Sequence, residues 1–197
     1  MKNEIYIGIT GNRDISEKQI IFIKKRIEEF LNNFKKDNEF SNIIVLTPLA
    51  DGVDRIIANS IIENFSNIKI LVPLPFSESI YKNTFGKGLK INNISQAESI
   101  KEYESLIYKI KKHNKSDDIF INLEFNKENY LNQNIDQQRK IRNEQYALLG
   151  EYLIEKSDNL IAVYDENREI KKGSSLEIVN KFDNKKLSNQ KLHKIII

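Results

Sequence analysis

Short, unbroken apolar runs that alternate with helical patterns restrict this chain more than any other feature of its sequence. "EIYIGIT" leads into a helical pattern over residues 17–34, "NIIVLTPLA" into one over 53–65, and "IKILVPLPF" into a short segment near Ser79. A run that is apolar throughout, rather than alternating, suits a strand covered on both faces, as in parallel sheets joined by crossover helices. After a polar, Asn-rich middle the pattern resumes with a long helix near 135–156, the strand "NLIAVYD" (159–165), a helix from about Ser175 and a last strand "HKIII". With right-handed crossovers, this alternation predicts an α/β fold: a Rossmann-like, doubly wound, mainly parallel sheet of about five strands with helices on both faces.

The helical patterns supply the matching surfaces. Ile20, Ile23, Ile27, Phe30, Leu31 and Phe34 recur at intervals of three and four, with Lys24, Lys25, Glu28 and Glu29 on the other face. Ile56, Ile57, Ser60, Ile61 and Phe65 repeat the pattern in the second helix. A length of 197 residues fits one domain. Residues 81–133, with a helical piece around 97–112 and the extended run "IFINLEF", read as an insertion over one end of the sheet.

Composition removes several function classes. Thirty-one Lys and Arg against 28 Asp and Glu leave +3, with both signs interspersed, which argues against nucleic acid or a membrane as partner. The basic stretch "KIKKHNK" lacks periodic aromatics for stacking bases and reads as a solvated helix end. Without cysteine there are no disulfides or thiolate sites. His113 and His193 stand apart, no His and carboxylate spacing suggests a metal, and no cofactor is expected. No apolar run approaches the roughly 18 residues of a membrane span, so a soluble, cytoplasmic protein is expected.

Ligands of such sheets lie beyond the carboxyl ends of the strands, where three strand-to-helix turns carry binding chemistry. In "TGNRD", Gly11 permits close backbone approach, Thr10 and Asn12 offer hydrogen bonds, and Arg13 presents a fork to phosphate beside a helix start. The plainer alternative is an ordinary turn capped by Asp14 or Ser16. In "PLADGVDR", Asp51 and Asp54 suit a helix N-terminus, or else Gly52 admits a sugar or phosphate that Asp54 or Arg55 contacts. In "KKGSSLEIV", the amides of Gly173, Ser174 and Ser175 can cradle a phosphate. Ser174 and Glu177 also stand in capping-box spacing, so Glu177 is either a cap or a catalytic carboxylate. Tyr146 and Tyr164 stand where a base can stack.

In order, "GITGNRD", "LTPLADGVDRIIA", "LVPLP", "RNEQYALLGEYLIEKSDNLIAVYDE" and "GSSLEIV" resemble the SLOG (SMF/DprA-LOG) superfamily of Rossmann-like nucleotide-ligand domains. They most resemble the branch found in bacterial antiphage and conflict systems, over residues 5–76 and 138–179. The resemblance implies binding or sensing of a nucleotide or ADP-ribose-derived molecule at the C-terminal sheet edge, in defence signalling. Arg13 and Arg142 would lie on phosphates, and binding would shift a homo-oligomer or a partner between states. LOG-type members instead cleave the N-glycosidic bond of a nucleoside monophosphate with an Arg and a Glu. Where they carry Pro-Gly-Gly-x-Gly-Thr-x-x-Glu, this chain has "DENREIKKGSSLE". Glu177 falls on the catalytic acid if Gly173 and Ser174 replace the Gly-Thr pair, and Ile178 falls there if Ser174 and Ser175 do. DprA-type members bind single-stranded DNA, the alternative that the charge balance supports least.

Overall fold

Strand β1 (Glu4–Gly11) lies inside a six-stranded, all-parallel sheet of order β4-β3-β2-β1-β5-β6, in a computed structural model that describes residues 4–38, 41–91, 94–185 and 189–197. The other strands are β2 (Asn42–Leu46), β3 (Ile68–Leu74), β4 (Phe120–Asn122), β5 (Asn159–Tyr164) and β6 (Lys191–Ile196). The helices are α1 (Glu17–Asp37), α2 (Val53–Asn64), α3 (Glu78–Lys82), α4 (Gln96–Asn114), α5 (Lys127–Leu131), α6 (Ile135–Lys156) and α7 (Ser175–Lys185).

Both faces of the sheet are covered, which is why its strands read as unbroken apolar runs. Because side chains alternate along a strand, Ile7, Ile9, Ile43, Val45, Ile70, Val72, Ile161 and Val163 join one core with Ile23, Ile27, Ile57, Ile61, Tyr103 and Leu106 of α1, α2 and α4. On the other face, Ile44 and Leu46 pack with Leu153 of α6, and Leu160 packs with Ile154, Ile178 and Phe182 of α6 and α7. Helix α1 starts at a full capping box: the Ser16 hydroxyl accepts from the Gln19 amide, and Gln19 Oε1 accepts from the Ser16 amide. No helix among the described residues is long and apolar enough to cross a membrane.

The middle segment departs from the sequence expectation. Instead of an insertion over one end of a five-stranded sheet, it contributes the sixth strand: Phe120, Ile121 and Asn122 pair with Val72, Pro73 and Leu74. Helix α4 packs against α2 and β3, so β3-α4-β4 is a further parallel crossover. Strand β4 is short, and backbone hydrogen bonds rather than an apolar repeat define it.

The chain winds from β1 through β2 and β3 to β4, then returns across the sheet to place β5 on the other side of β1. The order therefore reverses between β1 and β5, which opens a crevice at their carboxyl ends.

Candidate functional site

Three turns are welded together at that crevice by backbone. The Asn12 amide donates to the Val163 carbonyl (3.0 Å), and the Asn12 carbonyl accepts from the Val53 amide (3.1 Å). The end of β5, the turn after β1 and the start of α2 thus form one ledge. Two glycines permit it. Gly52, at φ 80°, precedes α2 where a Cβ would collide with the Asn12 and Arg13 carbonyl oxygens, and a Cβ on Gly11 would collide with Val53. The close approach that Gly52 allows here is chain against chain.

Beneath the ledge, Asp51 is a buried hub rather than the helix cap that its position suggested. Its carboxylate accepts from Arg13, from the Ser99 hydroxyl of α4 and from the Gly86 amide (3.1 Å), and lies 3.1 Å from Arg55 Nη2. Burial pushes this carboxyl up, but the hydrogen bonds from Ser99 and Arg13 and the charges of Arg55 and Arg13 outweigh it and hold the group below its ordinary value. Arg55 is equally buried. It donates to the Leu49 carbonyl (3.1 Å) and to Ser99, and stacks 4.6 Å from the centre of the Phe85 ring. Leu49 has a left-handed backbone (φ 57°), unusual for a side chain of its size, and Arg55 fastens its carbonyl. Asp14 also braces the site, accepting from the amides of Lys90 (2.7 Å) and Ile91 (3.0 Å).

Above the hub lies a cavity of about 340 Å³. Thr10 and Gly11 line it from β1, Arg13 from the turn after it, Asp54 from α2, Tyr81 and Thr84 from the segment after β3, and Gly173, Ser174 and Ser175 from the turn before α7 and the first residue of that helix. Helix α6 contributes Arg139, Asn143 and Tyr146, and the loop before α7 adds Lys171 and Lys172. A second hollow of about 410 Å³ shares Gly11, Arg13, Lys171 and Gly173 with it and is walled by Asn12, Lys87 and Arg168. A larger hollow of about 880 Å³ between α1, α2 and α4 is reached by Gly52 and Arg55 and is otherwise lined by apolar residues and by charges of both signs, among them Lys24, Glu63, Lys101 and Glu102.

Of the residues named from sequence, Thr10, Gly11, Arg13, Asp54, Gly173, Ser174 and Ser175 line the main cavity and Asn12 lines its neighbour. Asp51, Gly52 and Arg55 sit outside the main cavity's lining; Gly52 and Arg55 line the larger hollow instead. Arg142 turns away and donates to the Tyr130 hydroxyl (2.9 Å), while Arg139, one turn earlier, faces the cavity. Glu177 lines neither hollow: its carboxylate accepts from the Gly173 amide and pairs with Lys181 at 3.4 Å, and its own amide donates to Ser174 Oγ (3.3 Å). Tyr146 lines the cavity and bonds Thr84 Oγ1 (3.2 Å), whereas Tyr164 is packed in the core with Ala162 and Val179. His113 and His193 bond Ile68 O and Asn159 Oδ1.

Sequence reasoning missed Arg139, Asn143, Thr84, Tyr81, Lys171 and Lys172. A signal existed for two of them, since Arg139, Asn143 and Tyr146 recur at helical spacing with Leu149 and Leu153. The electrostatics combine four cations with one carboxyl, Asp54. Arg13 is tied to Asp51, Lys171 lies 3.3 Å from Glu169 and Lys172 is 4.0 Å from Glu144, while Arg139 has no ion-pair partner among the described residues. The first two amides of α7, at Ser175 and Leu176, have no protein acceptor among the described residues, so they and the helix dipole are available to an anion. Burial pushes the Asp54 carboxyl up to about 7, with the Ala50 amide and the charges of Arg55 and Arg13 offsetting part of the effect. No cluster of three or more His, Asp or Glu suited to a metal occurs among the described residues. A scan against protein-family models finds no match for the chain, and a search of curated proteins finds none either.

Proposed function

We propose that the chain is a SLOG-type module that binds a nucleotide or ADP-ribose-derived molecule in the crevice beyond β1 and β5, and that binding signals to a partner or a further copy in bacterial defence. The observation that carries this reading is the convergence, in one cavity, of Arg139, Lys171 and Lys172 with the turn before α7 and the aromatic wall of Tyr81 and Tyr146. Cations and helix-start amides suit phosphate oxygens, and the aromatic wall suits a base or sugar face. Sensing is favoured over N-glycosidic cleavage because Glu177, the carboxylate that cleavage would use, is engaged by Gly173 and Lys181 outside the cavity.

Calorimetry with AMP and ADP-ribose, followed by chromatography of the mixtures, tests the reading. Saturable binding of intact nucleotide, weakened about five- to tenfold by Arg139→Ala or Lys171→Ala, is the expected result. Release of free base, or no binding of either compound, refutes it.

A further inference from the structure

Two polar groups in the cavity wall take no part in the phosphate-binding arrangement. Asp54 is 4% exposed, and its carboxyl accepts a backbone hydrogen bond from Ala50 (3.1 Å). Tyr81, on α3, is buried, and its hydroxyl has no partner among the described residues. Burial first, then neighbours that include Tyr146 and Asp54, push the Tyr81 phenol well up. Asp54 and Tyr81 therefore lie within each other's field without being bonded to each other. A buried hydroxyl without a partner costs stability, and a ligand that bonds it recovers that cost.

We propose that Asp54 and Tyr81 form a subsite for a pair of adjacent hydroxyls, the chemistry of a ribose ring, with one hydroxyl donating to the Asp54 carboxylate and its neighbour bonded to the Tyr81 hydroxyl. The assignment rests on the nucleotide reading and adds which part of the ligand is held in this corner. An ionised Asp54 would repel a phosphate, and the one cation beside it that lines the cavity, Arg13, is already paired with Asp51, whereas Arg139, Lys171 and Lys172 lie on α6 and the loop before α7.

The subsite couples binding to a proton. The charged and titratable groups around Asp54 are Arg13 from the turn after β1, Asp51 and Arg55 from its own turn and helix, Tyr81 from α3, Arg139 and Tyr146 from α6, and Lys171 and Lys172 from the loop before α7. Hydroxyls that donate to Asp54 favour its ionised form, so a ligand arriving at a protonated carboxyl expels the proton. With the free group titrating at about 7, proton release on binding is largest below that pH and fades above it.

Calorimetry of AMP and 2′-deoxy-AMP, in buffers of different ionisation enthalpy, decides the matter. The wild-type protein should bind AMP at least about tenfold more tightly than the deoxy compound, with proton release. Asp54→Asn should abolish both the release and most of the discrimination. Tyr81→Phe should weaken discrimination and leave the release, and thermal unfolding checks that both variants fold. Equal affinity for the two nucleotides, or proton uptake, overturns the subsite and leaves the nucleotide reading standing. Failure of the wild-type protein to bind either nucleotide removes both.

Discussion

Asp51→Ala removes the carboxylate on which four groups from four parts of the chain converge. Arg55 would be left 7% exposed without its nearest counter-charge, because its other carboxylate, Glu102 at 3.4 Å, is itself 60% exposed and weakly coupled. Removing one member of a buried ion pair costs about 3–5 kcal/mol. The Gly86 amide and the Ser99 hydroxyl each lose an acceptor worth about 1 kcal/mol, and these losses overlap with the first. We expect a total of about 4–5 kcal/mol, a large part of the roughly 5–15 kcal/mol that holds a domain folded. Urea unfolding at pH 7 measures it, beside Arg55→Met and the double variant. Because most of the cost is a stranded charge, the double variant should be more stable than Asp51→Ala alone. The native Asp51 carboxyl titrates below the unfolded value of about 3.9, so its contribution is present above pH 4 and fades as pH falls through the native value. The gap between wild type and variant should narrow below pH 4. A loss under about 1.5 kcal/mol at pH 7, or a double variant weakened by the sum of the singles, refutes the hub.

Gly52→Ala forces a Cβ into the Asn12 and Arg13 carbonyls at a left-handed φ and should cost at least about 2 kcal/mol by the same assay. Asp54 keeps its proton to about pH 7 in the folded state but only to about 3.9 when unfolded, so it lowers stability by ~4 kcal/mol as pH rises between those values. Urea midpoints of Asp54→Asn at pH 4.5 and 7.5 should therefore differ less than those of the wild type. Glu177→Gln should cost about 0.5–1 kcal/mol through the weakened helix start and leave AMP affinity within about twofold, measured by calorimetry. A large loss of affinity would return Glu177 to the site.

The parts of the fold legible in the sequence are those in which one physical demand acts on many residues. Strands β1, β2, β3 and β5 are covered on both faces over most of their length and are apolar there, and α1 must alternate Ile with Lys and Glu, so each announces itself. Strand β4 consists of three residues, too few for a pattern, and its "IFINLEF" run was visible without its partner. At the site, the turns were legible because glycine and short polar residues cluster there, but the direction of each side chain was not. Gly52 serves Arg13 and Asn12, Asp51 serves half-buried Arg13 and buried Arg55, and Glu177 serves its own helix. Each residue type suits a ligand equally well on paper, and only the neighbours brought in from distant segments decide. Arg139 and Asn143 escaped because they are exposed residues on a long, charged helix, and only the fold brings the cavity up to them.

The welded ledge has a consequence for the order in which the molecule assembles. The Arg13 and Asp51 turns are joined across 38 residues, whereas β1 meets the β5 side, as in the bond from the Tyr6 amide to Asp158, across 152. That fourfold longer closure adds about 1.2 kcal/mol of chain entropy, and contacts of such separation slow the search for the native state. The β1-α1-β2-α2 unit can gather while the carboxyl-terminal third is still free, but the crevice does not exist until β5 docks. The pocket is therefore completed only when β5 docks, and a stalled chain holds half a ledge and no pocket.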